Sequence, residues 1–387
     1  MNNTRTHFIW IDWLALIIFN IYLLLAYTSS SRFNLLLSRS GMFTSVILII
    51  IFLNHINLIQ ALKNKEKELF FCIITGILSF INMIFAKSGP GVLFDIANII
   101  LILYLSDKIE LDTISLSIIF TTFFLILIFW FNANGEGYNP NTVSLIVLES
   151  AMLSALSLSS LLSKWKKDWI IYLYLAVSSA LFVYPVAKKF EGRTEIGALF
   201  ILLFTFLFIP KLVWQFKKLY CCILGIIALI CMLVPAMFTH IYYDYINNEI
   251  EIPSKFRIFH GREPVWMQYF SAWKKEPLTG IGNNFIEKIP DLRFSSAHNG
   301  FLHLLVVYGI IIFFIVLFYF GYKIIQIKTE QISLTKKIGF SIIIAMLAIA
   351  SMESYLITSF SNMLLFFVFL IIFKENKQIE EQNLEQK

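Results

Sequence analysis

Charged residues are scarce in this chain. Asp, Glu, Lys and Arg make up 14% of its 387 residues, whereas soluble proteins average about 25%. Hydrophobic residues make up 58%, 39 residues are phenylalanine, and the mean hydropathy is +0.76. A soluble domain could not cover its surface with so few polar side chains. The composition therefore argues against a water-soluble enzyme, a nucleic-acid binder or a disordered scaffold.

Patterns that would hold a metal are also missing. The four cysteines lie inside apolar runs without metal-ligand spacing, and the adjacent pair Cys221-Cys222 is a poor disulfide candidate. No Asp-x-Asp or His-Glu-x-x-His motif lies where the outer face is expected. We also find no internal repeat and no soluble domain. The sequence therefore predicts one membrane domain over residues 1–387, with no metal and no cofactor.

Twelve apolar stretches are candidates to cross a membrane, because a bilayer core of about 30 Å needs roughly 20 apolar residues in a helix. They are 8–28, 41–62, 69–87, 91–106, 114–131, 142–163, 168–187, 195–213, 219–239, 299–322, 338–356 and 361–373. The predicted fold is an all-α polytopic integral membrane protein of about twelve transmembrane helices. One long loop, 240–298, separates spans nine and ten, and a charged tail, 375–387, follows the last span.

The basic residues indicate how the chain is oriented. If both termini are cytoplasmic, eighteen Lys and Arg residues lie on the inner side and six in the short outer connections. This excess follows the positive-inside rule, which weakens for the long loop holding the other seven. The net charge of +6 then reflects topology, and the loop 240–298 is extracytoplasmic.

Arg193, Arg262 and His298 are the first candidates for chemistry on that outer face. Arginine donates parallel charge-assisted hydrogen bonds to phosphate oxygens, although an arginine near a helix end also snorkels to lipid head groups. If Ser295 or Ser296 caps span ten, His298 stands in its first turn, where a helix N-terminus favours neutral imidazole. Such an imidazole can act as a general base. The alternative is an interfacial histidine without a role.

Other polar features leave more than one interpretation open. Residues Glu276–Asn284 read as a turn whose glycines, Gly280 and Gly282, permit tight backbone and an anion-binding nest. Residues Glu263–Lys275 predict a helix lying against the membrane surface. The carboxylates Glu149 and Glu353 lie inside predicted spans, where such groups are costly and often functional.

Four segments, in the expected order, resemble motifs of the O-antigen ligase/polymerase superfamily of bacterial envelope glycosyltransferases. They are Gly137-Tyr138-Asn139-Pro140-Asn141; Gly192-Arg193-Thr194; Arg262-x-x-x-Trp266 with Pro277-Leu278-Thr279-Gly280-Ile281-Gly282; and Ala297-His298-Asn299 with Gly309-Ile310. The likeness covers roughly residues 130–320. One departure is Thr194-Glu195, which puts a carboxylate beside Arg193 where the family usually has a small residue.

The resemblance implies an inverting, metal-independent transferase in the bacterial inner membrane, with its active site on the extracytoplasmic face. Its substrates would be an undecaprenyl-pyrophosphate-linked oligosaccharide donor and a glycan acceptor. Membrane lipids and a chain-length regulator are further candidate partners, and nucleic acid is not one. The matching catalytic positions are Arg193, Arg262 and His298. The matching substrate-binding positions are Trp266, Asn299, Asn141, Gly280 and Gly282.

Three functions fit this reading. A polysaccharide polymerase would transfer the lipid-linked glycan onto another lipid-linked repeat unit. An O-antigen ligase would transfer it to a lipid A core sugar, using the same donor and chemistry. A multi-span transporter or lipid-glycan flippase would suit twelve spans, but the sequence lacks the repeat that relates the halves of many transporters.

Overall fold

The computed structural model describes the greater part of the chain. The described residues are 6–7, 10–28, 39–133, 140–165, 167–216, 219–220, 222–227, 229–230, 233, 235–237, 262–284, 288–289, 297–329, 332–354 and 364–375. The predicted tail, apart from residue 375, and most of the predicted long loop lie outside them. Ser295, Ser296 and most of the Gly137–Asn141 motif also lie outside.

The described residues are predominantly helical. The helices are α1 (Trp10–Thr28), α2 (Ser40–His55), α3 (Leu58–Lys63), α4 (Lys67–Phe85), α5 (Gly91–Leu105), α6 (Thr113–Asn132), α7 (Pro140–Leu162), α8 (Asp168–Lys189), α9 (Arg193–Phe208), α10 (Lys211–Gln215), α11 (Glu263–Trp273), α12 (Gly300–Gln326), α13 (Leu334–Ala350) and α14 (364–375). Described residues between 219 and 237 are also helical. Two short strands, β1 (Thr6–His7) and β2 (Ile109–Glu110), pair in parallel just before α1 and α6.

The helices agree with an all-α polytopic membrane protein. Six of them are long and apolar enough to cross a membrane, namely α1, α4, α6, α7, α8 and α12, while α2 and α5 are apolar but shorter. Many large apolar side chains face outward, including Phe318 and Phe204, which are 73% and 60% exposed. Such an outer surface suits lipid and not water. The total of twelve spans stays a prediction.

Two predicted spans each divide into two separately bounded helices. The stretch 41–62 is two helices, because Ile56 takes an extended conformation after α2 ends at His55. The stretch 195–213 breaks between α9 and α10, where Ile209 is extended and Pro210 follows it. Proline has no backbone N–H to continue the helical ladder, and it pushes the preceding residue away from helical angles. Pro140, in contrast, begins α7 as expected.

A buried ionic cluster joins three helices at one end of the bundle. Lys323, near the end of α12, has a fully buried side chain. Its ammonium lies 2.6 Å from Glu68 at the start of α4 and 2.8 Å from Asp107 just after α5. A buried ammonium needs such partners to offset its lost hydration. The cluster therefore fixes the ends of α4, α5 and α12 at one level.

At the opposite end, a turn of the chain docks into a break in α12. Gly309, with φ +76°, is non-helical inside α12. The amides of Ile281 and Gly282 donate to the carbonyls of Val306 and Val307, at 2.8 and 3.0 Å. These bonds satisfy carbonyls that the break releases from the helical ladder. The docked turn holds the chain after α11 against the first half of α12.

Candidate functional site

Glu353 joins Arg262 and His298 in one ionic cluster. Arg262 Nη2 donates to Glu353 Oε1 over 2.6 Å, and His298 Nδ1 lies 3.0 Å from Glu353 Oε2. The side chains of Arg262, His298 and Glu353 are 19%, 23% and 15% exposed. Each is therefore held by protein contacts and still partly exposed. Two of the three catalytic residues proposed from sequence, Arg262 and His298, therefore meet here through Glu353.

The ends of two helices set the distance between His298 and Glu353. Asn299 caps α12, because its side-chain oxygen accepts from the amide of Leu302 over 2.8 Å. Its amide nitrogen donates to the Ser351 carbonyl over 2.8 Å, just beyond the end of α13. His298 precedes this residue and Glu353 follows Ser351 by two. Asn299 therefore ties the start of α12 to the turn that carries Glu353.

His298 does not lie in the first turn of α12, as expected from sequence. Asn299 is the cap, so the proposal that Ser295 or Ser296 caps this helix is wrong. His298 stands just before the cap with φ +46°, a left-handed conformation that a non-glycine residue rarely adopts. Strain of this kind, about 1–3 kcal/mol, concentrates at functional sites. It turns the imidazole toward Glu353.

The loop helix α11 carries Arg262 into the cluster. Val265, Trp266, Tyr269 and Ala272 are buried, and α11 contacts α12. The predicted helix is therefore present, but this face packs against protein and does not lie on the membrane surface. Burial raises the pKa of Tyr269 above its usual range, so its hydroxyl enters the interior neutral.

Trp266 connects the two halves of the site. Its amide donates to the Arg262 carbonyl over 2.9 Å, and its indole Nε1 donates to the Ala297 carbonyl over 2.9 Å. The first bond holds Arg262 at the start of α11, and the second holds the residue before His298. Trp266 and Asn299 are fully buried. Their contacts favour positioning over direct contact with a substrate.

The start of α9 lies beside the same cluster. Glu195 is buried and close enough to Glu353 and Arg262 to interact electrostatically with both. Packing of α9 against α13 brings these two helix ends together. Arg193 is the first residue of α9 and is exposed, two residues before Glu195. The departure noted in the sequence thus places a carboxylate in the site itself.

A close approach between α7 and α9 positions the start of α9. A Cβ at Gly192, the residue before α9, would lie 2.4 Å from Ser144 Oγ of α7 and 2.8 Å from Glu195 Oε2. Only glycine lets the backbone come so near. Asn141 is exposed in the first turn of α7, one turn before Ser144. Glu149 lies further along α7 and interacts electrostatically with Tyr27 of α1.

Gly280 and Gly282 form the docked turn. Both have positive φ, +72° and +73°. A Cβ at Gly280 would lie 2.5 Å from the Gly309 nitrogen, and one at Gly282 would overlap Ser88. The amides of Gly280 and Gly282 already donate to carbonyls of Glu276 and Val307. The idea that these amides form an anion nest is therefore wrong, and close backbone packing explains both glycines.

Glu353 is the residue of the cluster that sequence reasoning left without a role. From the sequence alone, Glu353 is only a carboxylate within a predicted span. The usable signal was its place at the expected outer end of span eleven, on the same side as His298. Among the described residues, no group of three His, Cys, Asp or Glu side chains is arranged to hold a metal ion.

Comparison with known protein families gives a match in the part of the chain that carries most of this site. The O-antigen ligase family matches residues 191–317. The match confirms the resemblance to the O-antigen ligase/polymerase superfamily and supports a membrane enzyme of that type, acting on lipid-linked glycans. It contains Arg193, Arg262 and His298, whereas Glu353 and Asn141 lie outside it. A search of curated proteins and a search of solved structures each found no match.

Proposed function

We propose that this protein is a surface-polysaccharide polymerase of the bacterial inner membrane. It would transfer an undecaprenyl-pyrophosphate-linked glycan onto another lipid-linked repeat unit, at the extracytoplasmic end of the bundle. The observation that carries the proposal is the bridge from Glu353 to both Arg262 and His298. A base and a phosphate-binding cation are the two groups that such a transfer requires, and here one carboxylate holds both.

Glu353 prepares His298 to act as a general base. A carboxylate paired with arginine only accepts hydrogen bonds, so His298 Nδ1 carries the proton in their 3.0 Å contact. The other nitrogen, Nε2, is then the basic one. As Nε2 takes a proton, the Glu353 charge stabilises the imidazolium, which is the role of the carboxylate in a catalytic triad.

Arg262 supplies positive charge for the leaving group. Its guanidinium has five N–H donors, and the bond to Glu353 uses one nitrogen. The remaining donors suit pyrophosphate oxygens in a bidentate arrangement. Arg193, at the exposed start of α9, would add a second cation from the neighbouring helix. The α9 N-terminus itself favours an anion.

The reaction balances with these groups. The acceptor hydroxyl gives its proton to His298 Nε2, and its oxygen bonds to the anomeric carbon from the face opposite the pyrophosphate. The bond from that carbon to the pyrophosphate oxygen breaks, and the oxygen keeps the electron pair. Attack from the opposite face inverts the configuration at the anomeric carbon. Arginines that meet the developing charge supply the electrostatic stabilisation.

Ligation is the second candidate, because the matching family is described as O-antigen ligase. A ligase would use the same donor, base and arginines, and only the acceptor would differ: a lipid A core sugar in place of another repeat unit. The cluster is common to both reactions. The choice between them therefore rests on which acceptor the site admits.

A two-arm reconstitution tests the proposal. Purified protein in lipid vesicles receives lipid-linked repeat units alone, or the same donor with a lipid A core acceptor. A ladder of longer glycans in the first arm supports the polymerase. Product confined to the second arm would assign the chain as a ligase, and no glycan transfer in either arm would refute both. Heat-treated protein serves as the blank.

A further inference from the structure

Two lysines face each other at the end of the bundle opposite the candidate site. The candidate site uses the start of α9 and the residues after α13, and these two helices pack together, so their other ends also lie side by side. Lys211 begins α10 just beyond α9, and Lys337 lies in the first turn of α13. Lys211 is close enough to repel Lys337 electrostatically. We call these two residues the lysine pair.

Aromatic packing holds the lysine pair in place. Trp214 follows Lys211 by three residues, and Phe340 follows Lys337 by three, which is about one helical turn in each case. The rings of Trp214 and Phe340 stack with their centroids 5.6 Å apart, and both are fully buried. The lysines could move apart only if this buried contact were broken. Their repulsion is therefore built into the packing of α10 against α13.

Neither lysine has a carboxylate partner among the residues that the structure describes. The ammonium of Lys337 lies 5.4 Å from the centre of the Phe206 ring, a cation–π contact that leaves its charge uncompensated. The neighbouring Lys336, in contrast, donates to the Lys328 carbonyl over 2.8 Å and lies near Glu375. A cation in the first turn of α13 also meets the positive end of the helix dipole. The lysine pair therefore requires an anion.

An anion can reach both ammonium groups from outside. Lys211 is exposed. Lys337 is only 6% exposed as a whole residue, but its Nζ makes no hydrogen bond within the described part of the chain and is not closed off from water. The apolar stem is therefore covered by protein while the charged tip opens to the surface, as is common for lysines at the edge of a membrane.

The surface around the lysine pair favours an amphiphilic anion. Phe208 and Phe216 lie on either side of α10 and are 70% and 57% exposed. Large apolar side chains at the edge of a membrane contact acyl chains, while the lysine tips lie at the level of the head groups. An anionic phospholipid supplies a phosphate and acyl chains together, whereas free phosphate offers nothing to the aromatic side chains.

We propose that the lysine pair binds the phosphate group of an anionic phospholipid such as phosphatidylglycerol. The phosphate lies between the two ammonium groups, so it removes the repulsion between α10 and α13 and fastens both helix ends to the lipid. Basic pockets between transmembrane helices bind lipid head groups in this way. The proposal is independent of the proposed glycan transfer, since it uses other residues at the other end of the bundle.

The test measures lipid binding to the purified full-length protein by native mass spectrometry. Wild type is expected to bind phosphatidylglycerol more tightly than phosphatidylcholine, whose head group has no net charge. Lys211→Gln with Lys337→Gln should weaken phosphatidylglycerol binding about ten- to thirtyfold, because both ammonium groups are lost. Lys63→Gln with Lys65→Gln is the matched control, since it removes the same charge from exposed positions just before α4, at the same end of the bundle. It should bind as wild type does.

A second variant covers the case in which the double glutamine variant does not fold. Lys211→Glu changes one exposed position and gives Lys337 an internal partner. It should abolish the preference for phosphatidylglycerol and raise the thermal midpoint in phosphatidylcholine nanodiscs.

Three results would overturn the proposal. One is a wild-type protein that does not distinguish phosphatidylglycerol from phosphatidylcholine. Another is a preference that survives in both variants, since the lipid would then bind elsewhere. The third is inorganic phosphate that raises the wild-type midpoint as much as phosphatidylglycerol does, because the lysine pair would then hold a free anion and not a lipid.

Discussion

Replacing Glu353 by glutamine tests how the cluster is built. The change keeps the size of the side chain and removes its charge, so both charge-assisted hydrogen bonds become weaker neutral ones. A hydrogen bond to a charged group is worth about 1.5–3 kcal/mol. A neutral hydrogen bond is worth about 0.5–1.5 kcal/mol, so losing the charged character of both bonds costs about 2–3 kcal/mol, which corresponds to roughly a 30- to 150-fold fall in rate.

The fall should appear mainly in kcat. The imidazole would lose the negative partner that fixes its tautomer and stabilises its charged form, while Arg262 would keep its own charge toward the donor. Glu353→Asp keeps the charge but shortens the side chain, and it should retain intermediate activity. Glu276→Gln is the matched control, because Glu276 is exposed in the loop after α11. It should behave as wild type.

The assay follows elongation of a purified lipid-linked glycan by gel and mass spectrometry, with insertion and thermal stability checked for each variant. A stably inserted Glu353→Gln protein with wild-type kcat would refute the reasoning. It would show that the contacts at 2.6 and 3.0 Å do not prepare His298 for catalysis.

Three further predictions concern the scaffold and the charge requirement. Gly280→Ala should lower the thermal midpoint, because φ +72° costs alanine about 1–2 kcal/mol and its Cβ would meet the Gly309 nitrogen at 2.5 Å. Gly76→Ala is the control, since Gly76 has open space around it, and it should leave the midpoint unchanged. Equal midpoints for the two variants would contradict the docked-turn account. Lys323→Met leaves Glu68 and Asp107 without their cation, so it should destabilise the protein by about 3 kcal/mol. Lys274→Met, at an exposed position, is its control in the same melting experiment. A chelator should leave the transfer rate unchanged, because arginines supply the charge; strict metal dependence would contradict this.

Hydropathy located most helices well. The stretches 69–87 and 114–131 correspond to Lys67–Phe85 and Thr113–Asn132, because a run of about 20 apolar residues leaves few alternatives to a spanning helix. Breaks inside such runs were harder to predict. Gly309 interrupts α12 within a continuous apolar stretch, and the turn that fills the break lies about thirty residues earlier in the sequence. Nothing local marks that pairing.

In the candidate site, too, some residues could be predicted from the sequence and others could not. Arg262 and His298 stand in segments with recognisable motifs, so the resemblance identified them. Glu353 is 91 residues from Arg262 and 55 from His298, and its pairing depends on how α13 ends beside the start of α12. Such contacts depend on which helices pack together, and this packing cannot be predicted from a single sequence. The cap of α12 was misplaced for a related reason, since serine and asparagine are both good caps.

Single-turnover transfer by wild type and His298→Ala tests the central claim most directly. Each protein, inserted in vesicles, would be mixed in molar excess with the lipid-linked glycan. The anomeric configuration of the product would then be determined by NMR. The account predicts an inverted linkage from wild type and a loss of about 10²–10⁴-fold in the variant. A retained configuration, or a His298→Ala rate equal to that of wild type, would contradict it.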